Sequence, residues 1–363
     1  MNQSLIVRGA PQEYECCEGA WDNLEEHLNR RGMKRVFILH GKDSWTAAQP
    51  YFPEMASIDK MFVNYGGECT DERTAELTKL FNESSFDTII AVGGGKVADL
   101  GKAVAYQCKT PIIILPTLAA TCAAYTPLSV IYKQDGSMDR YDVFPVSNAL
   151  VLIEPKVILY SPKELMIAGI GDTLAKWYEA DSMISQLTVP SIEIQVAAFA
   201  ARKCRDVLLE ESQAALDAMD SQKMNQAFLN VVETNILLGG MVGGFGDDYG
   251  RTSGAHSIHD ALTILPESHH QLHGNKVAYG VFVQLVIEGK WNEIDQLIPF
   301  YHQLKLPTCL SDMGMAHITE AEIERVAKRA TVEHETIHYM KETITFKVVK
   351  NAMIELEDYI KEK

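Results

Sequence analysis

Residues 87–97 read Asp-Thr-Ile-Ile-Ala-Val-Gly-Gly-Gly-Lys-Val, an unbroken apolar run that meets three glycines and a lysine and turns helical. Nothing polar alternates between Ile89 and Val92. A strand there has both faces buried, and strands of that kind belong to a parallel sheet covered by helices. Arg35-Val-Phe-Ile-Leu-His40, Met61-Phe-Val-Asn64 and Pro111-Ile-Ile-Ile-Leu115 have the same character. After the glycines, Val97, Leu100, Val104 and Cys108 recur at spacings of three and four, one apolar stripe on a helix. The strand is expected to end at Val92 and the helix to begin near Val97. Tyr132–Ser137 (YKQDGS) reads as a hairpin turn, so a small antiparallel piece is expected beside the sheet.

The pattern changes at Ser161-Pro162-Lys163-Glu164, a helix start with Ser as N-cap, Pro first and Glu three residues after the cap. From there to Lys363 helical patterns dominate. A chain of 363 residues has room for two domains. They are expected to be an α/β domain over 1–160 and a helical one over 161–363, with a ligand in the cleft between them.

Composition narrows the function. A chain 47% hydrophobic and 23% charged is globular, neither disordered nor fibrous. With 33 basic against 49 acidic residues the net charge is −16, which argues against nucleic acid or an anionic membrane as the main partner. The seven cysteines are odd in number and form no C-x-x-C, so free thiols and a reducing compartment are expected. The N-terminus has no basic start followed by an apolar core, and hence no signal-peptide pattern. Thr110–Tyr132 runs 23 residues without a charge, yet its three prolines suit a buried strand and a loop rather than a membrane helix. The expectation is a soluble, cytoplasmic protein acting on a small molecule.

Gly93-Gly94-Gly95-Lys96 sits where a strand meets a helix, the place where backbone N–H groups can cradle a phosphate. It is not the P-loop motif, because Lys96 stands where that motif needs Gly and Ala103 where it needs Ser or Thr. Nor is it G-x-G-x-x-G, since Ala98 holds the last position. A diphosphate site is the favoured reading over a plain tight turn. The second glycine cluster, Gly239 to Gly250, follows no strand and is read as close helix packing.

Five histidines lie within 18 residues, at 256, 259, 269, 270 and 273. His256 and His259 are three apart and share a helix face. Imidazoles suit zinc or ferrous iron, with a carboxylate completing a site that keeps an open position. Spacing does not choose the carboxylate. Asp172 is attractive as the one acid in a small-residue turn of an otherwise apolar helix, although a helix-surface acid would look the same.

Five segments in order, GGGKVADLGKAVA (93–105), LPTLAATCAAYTPLSVIY (115–132), GIGDTLAKWYEA (169–180), HSIHDALT (256–263) and HGNKVAYG (273–280), make the chain resemble the iron-containing alcohol dehydrogenase superfamily. Within it the resemblance is to the glycerol dehydrogenase-like branch, most of all to hydroxycarboxylate dehydrogenases that reduce 2-oxo acids with NADPH. It implies a Rossmann-like parallel-sheet domain followed by an all-α domain, the dehydroquinate synthase-like architecture, in a homo-oligomer. The implied metal ligands are Asp172, His256 and His273. The superfamily's fourth ligand position is Lys176 here, which leaves three protein ligands and places for water and substrate. The implied cofactor residues are Gly94, Gly95, Lys96, Val97, Thr117, Leu118, Thr126, Leu128 and Tyr132, and His259 matches a histidine near the nicotinamide.

Two departures bear on substrate and cofactor. Cys122 replaces the Asp that holds a substrate hydroxyl in glycerol dehydrogenases, which weakens glycerol as substrate. Gly41 and Lys42 stand where NAD-preferring members place an Asp for the ribose, so NADP is favoured over NAD. The expected reaction is hydride transfer between NADP(H) and a 2-oxo or 2-hydroxy acid at one divalent metal, zinc or iron. His259 or a ribose hydroxyl relays the proton, and Lys176 pairs with the substrate carboxylate or else neutralises Asp172. Glycerol or another vicinal diol is the alternative substrate. A dehydroquinate synthase-like lyase, which has Glu at the Asp172 position, and a non-catalytic cofactor-binding protein are weaker alternatives.

Overall fold

The computed structural model describes residues 5–363, which form two compact units. One unit holds Arg8–Met166 together with Ala215–Gly240 and contains all eight strands found among the described residues. These are β1 (Tyr14–Cys16), β2 (Arg35–His40), β3 (Asp59–Asn64), β4 (Thr88–Gly93), β5 (Ile112–Pro116), β6 (Leu128–Tyr132), β7 (Met138–Val143) and β8 (Leu150–Ile153). Six form one sheet in the order β1-β8-β5-β4-β2-β3, with every pair parallel. β4, β5 and β8 are buried at every position, as unbroken apolar runs require. The uncharged stretch Thr110–Tyr132 is thus a buried strand, a loop and then β6.

β6 and β7 pair antiparallel around the anticipated turn, closed by Lys133 N–H donating to the Ser137 carbonyl with Gly136 at φ +83°. β1, three residues long, is too short to show a period, while the apolar run at Leu150–Ile153 was a strand signal that sequence reading passed over. β4 runs one residue past Val92, and its helix begins at Gly95, two residues earlier than expected. The turn tightens because Gly93 is bare: a Cβ there would lie 2.7 Å from Val97 Cγ2. β3 and β4 flank β2 on opposite sides, so the winding reverses between β2 and β4. Ligands bind at the carboxyl ends of strands at such a reversal.

The other unit, Ile167–Ala214 and Met241–Lys363 with residues 5–7, has no strand among the described residues. The helix anticipated at Ser161-Pro162 starts at Lys163 and runs to Ile184. Helices Gly254–Leu262 and His273–Ile287 pack against each other within the helical unit. The glycine-rich stretch is packed closely. A Cβ at Gly240 would meet the Tyr125 ring at 2.3 Å, and one at Gly250 the Val242 carbonyl oxygen at 2.1 Å. Gln226–Tyr249 is long and apolar enough to cross a membrane, but 61% of its apolar window is buried inside the protein.

Candidate metal centre

Three helices each supply one side chain to a single point. Asp172 comes from Lys163–Ile184, His256 from Gly254–Leu262, and His273 is the first residue of His273–Ile287. One ligand atom from each lies within 4.8 Å of the others. Nε2 of His256 and of His273 stand 3.2 and 3.3 Å from Oδ1 of Asp172. This convergence depends on backbone contact between the first and third helices. A Cβ at Gly274 would sit 1.7 Å from the Ala168 carbonyl oxygen, and one at Gly171 would sit 2.7 Å from the Gly274 carbonyl oxygen. Glycine precedes Asp172 and follows His273 because no side chain fits where those helices touch.

The His256 helix has no side-chain cap of its own, and its two partners cap it instead. Glu179 Oε1, from the Asp172 helix, accepts from the backbone N–H groups of Ser253 at 2.7 Å and His256 at 2.9 Å. Gln284, from the His273 helix, accepts from Ala255 N–H at 3.1 Å and donates to the Tyr178 carbonyl at 2.9 Å. Each such cap contributes about 1 kcal/mol, and together they tie all three ligand-bearing helices. Sequence reading missed both residues. The available signal was position: Glu179 lies seven residues after Asp172, on the same helix face.

An outer set of hydrogen bonds settles which nitrogens face inward. Glu179 Oε2 lies 2.7 Å from His256 Nδ1. His273 Nδ1 lies 2.9 Å from His259 Nε2, and His259 Nδ1 lies 2.8 Å from Asp260 Oδ1. Carboxylates only accept, so His259 donates from Nδ1–H to Asp260. His259 Nε2 then accepts, and His273 must donate from Nδ1. A neutral His273 therefore turns its Nε2 lone pair toward Asp172. Asp172 Oδ1 is itself buried and finds no hydrogen-bond donor of acceptable geometry. A buried carboxylate and two imidazole nitrogens that converge on one point form a site for a cation, and they are a donor set for zinc or ferrous iron.

The charges follow this arrangement. Burial works to raise the Asp172 pKa, but His273, His256 and Lys176 outweigh it and hold the carboxyl well below its ordinary value. Glu179 is also lowered, His256 and Lys176 overcoming its burial. His259 is pushed well below the ordinary imidazole value by burial and then by His273, Lys276 and His256, so it is neutral. Lys176 is buried, and its Nζ donates to the Arg251 carbonyl at 3.0 Å.

The residues named for a nucleotide lie in the sheet unit. Gly41 and Lys42 follow β2, Gly94 to Val97 follow β4, and Thr117 follows β5. His40 pairs with Val92 and Gly93 with Pro116, so these turns share one end of the sheet at the winding reversal. Ser44 Oγ joins two of them, accepting from Gly41 N–H at 2.9 Å and donating to the Val92 carbonyl at 3.1 Å. Gly94 caps the 14-residue helix Gly95–Cys108 without a side chain, so the first-turn N–H groups point to where an anion would sit. Leu118 packs over Gly94. Lys96 pairs with Glu68 at 2.5 Å and lies 5.6 Å from the centre of the Tyr132 ring.

Cys122, Thr126 and Leu128 belong to the segment between β5 and β6 and its first strand residue. Its anchor is a residue that sequence reading passed over. Buried Lys102 pairs with buried Asp99 at 2.9 Å and donates to the carbonyls of Ala123, Thr126 and Leu128. Lys102 lies off the apolar stripe of that helix, two residues from Leu100 and from Val104, so nothing in the sequence marked it as buried.

The model of the family described as iron-containing alcohol dehydrogenase matches residues 11–155. Hydroxycarboxylate dehydrogenase A of Escherichia coli (strain K12) is 36% identical over 361 residues, 99% of either chain. The chain belongs to the iron-containing alcohol dehydrogenase family. Glycerol dehydrogenase of Thermotoga maritima is 34% identical over 96% of either chain. The crystal structure of a probable glycerol dehydrogenase from Sinorhizobium meliloti 1021 superposes with a TM-score of 0.90 at 31% identity, covering 99% of this chain and 100% of the other. The family uses NAD(P) and a divalent metal, and these relatives are dehydrogenases acting on alcohol groups. The present chain is an oxidoreductase of that family.

Proposed function

We propose that this protein interconverts 2-oxo acids and 2-hydroxy acids, using NADP(H) in preference to NAD(H) and one divalent metal held by Asp172, His256 and His273. When bound, the metal polarises the substrate carbonyl and the nicotinamide carries the hydride. The observation that carries the reading is the convergence of three acceptors on one point, with the ammonium of Lys176 one helical turn from Asp172. A diol needs acceptors for its hydroxyls, whereas an oxo acid needs a cation for its carboxylate. This chain has a thiol at Cys122 and an ammonium at Lys176, which favours the acid.

The remaining roles follow from placement. Backbone N–H groups at Gly95 to Val97 hold a diphosphate, with Gly94, Thr117, Leu118, Thr126, Leu128 and Tyr132 along the nucleotide. Gly41 and exposed Lys42 leave room and charge for a 2′-phosphate. His259, neutral and backed by Asp260, carries the proton, with a cofactor ribose hydroxyl as the other route. A soluble, cytoplasmic homo-oligomer is the proposed setting, and light scattering of the purified protein would count its subunits.

A screen of 2-oxo acids and polyols with both cofactors, after metal loading, tests the substrate. Turnover of 2-oxo acids with NADPH is expected. Turnover of glycerol with NAD alone would replace the reading by a vicinal-diol dehydrogenase, which the likeness to glycerol dehydrogenases supports. Lys176→Ala should raise KM for 2-oxobutanoate roughly 10- to 100-fold, the worth of one charge-assisted hydrogen bond, and that for a neutral ketone far less. Equal effects would return Lys176 to neutralising Asp172.

A further inference from the structure

We propose that Glu179 is a positioning residue for the metal, fixing the tautomer and orientation of His256 so that Nε2 presents its lone pair to the site. The proposal rests on the metal-site reading above and adds a residue outside the ligand set. Glu179 is buried and splits its two oxygens between two tasks. Oε1 accepts from the N–H groups of Ser253 and His256, which sets where the His256 helix begins. Oε2 lies 2.7 Å from His256 Nδ1. Because a carboxylate can only accept, the proton of a neutral His256 is held on Nδ1. The nitrogen 3.2 Å from Asp172 is then the one able to bind a cation. An imidazole ligand oriented through its other nitrogen by a carboxylate gains basicity as well as direction.

Glu179→Gln separates the two tasks. The amide oxygen can still accept from both backbone N–H groups, so the helix keeps its cap. The amide NH2 then faces Nδ1 and donates to it, which moves the imidazole proton to Nε2, where a metal must displace it. The expected result is a 10- to 100-fold weaker zinc affinity by chelator competition. Glu179→Asp keeps an acceptor-only group on a shorter stem and should retain more affinity than the Gln variant.

Zinc binding by Glu179→Gln within twofold of wild type overturns the proposal. Equal losses in both variants that track a fall in Tm overturn it as well. The wild-type protein supplies a further test: nitrogen-15 spectra of the zinc-loaded chain should show His256 bound through Nε2 with a proton on Nδ1, and binding through Nδ1 would sink the idea. A wild-type chain that takes up no zinc removes the metal-site reading itself, and this proposal with it.

Discussion

His256 shows how a side chain in a site shaped for a cation behaves in the metal-free protein. Burial works to lower its pKa, and Lys176 adds to that, but Glu179 and Asp172 outweigh both and raise it to about 9. The folded value lies above the ordinary 6.5, so the folded state binds this proton more tightly than the unfolded chain does. The stability it contributes is fully present below about pH 6.5 and is lost as the pH rises through 9. A metal competes with the same proton. Zinc affinity should therefore climb about tenfold per pH unit up to pH 9 and then level off. Chelator competition at a series of pH values checks this, and an affinity flat from pH 7 to 9 would contradict it.

Helices meet at the centre only because of what they lack. Gly274 is pressed against the Ala168 carbonyl, where an added Cβ would fall 1.7 Å from oxygen. The obstacle is backbone rather than a movable side chain, so Gly274→Ala must push the His273 helix off the Asp172 helix. A destabilisation of about 1–3 kcal/mol or more is expected from overpacking, together with loss of zinc binding, measured by denaturant unfolding and metal titration. Gly289 is a control at the far end of the same helix. An added Cβ there meets nothing within 4 Å, and its φ of +67° makes Gly289→Ala a backbone-strain change alone. That variant should lose stability and keep its metal.

Stability of the complete chain should couple to the metal, because a ligand that binds only the folded state stabilises it by mass action. Zinc at about 100 times its Kd should add about 2.7 kcal/mol, seen as a rise in Tm that a chelator reverses. His273→Ala should abolish that rise. A rise that survives the substitution would place the bound zinc elsewhere. The acidity of the chain, −16 overall, offers no general attraction to an anionic cofactor. On the function proposed above, its recognition would fall to local groups, Lys42 and the first-turn N–H groups after Gly94, and that of an anionic substrate to Lys176.

The sheet and its glycine turn were legible in the sequence because buried parallel strands are continuous apolar runs and a bare turn needs glycine. The three residues that converge were named from the resemblance, and periodicity alone could pair only His256 with His259. What stayed hidden joins residues far apart in the chain. Glu179 reaches Ser253 and His256 across more than 70 positions, and Gln284 reaches back 106 to Tyr178. Lys102 holds carbonyls of a segment that begins 21 residues on. A sequence displays local periods and turn chemistry, which depend on neighbours along the chain. Which buried carboxylate caps which helix, and which imidazole nitrogen keeps its lone pair, depends on contacts that exist only once the helices have packed.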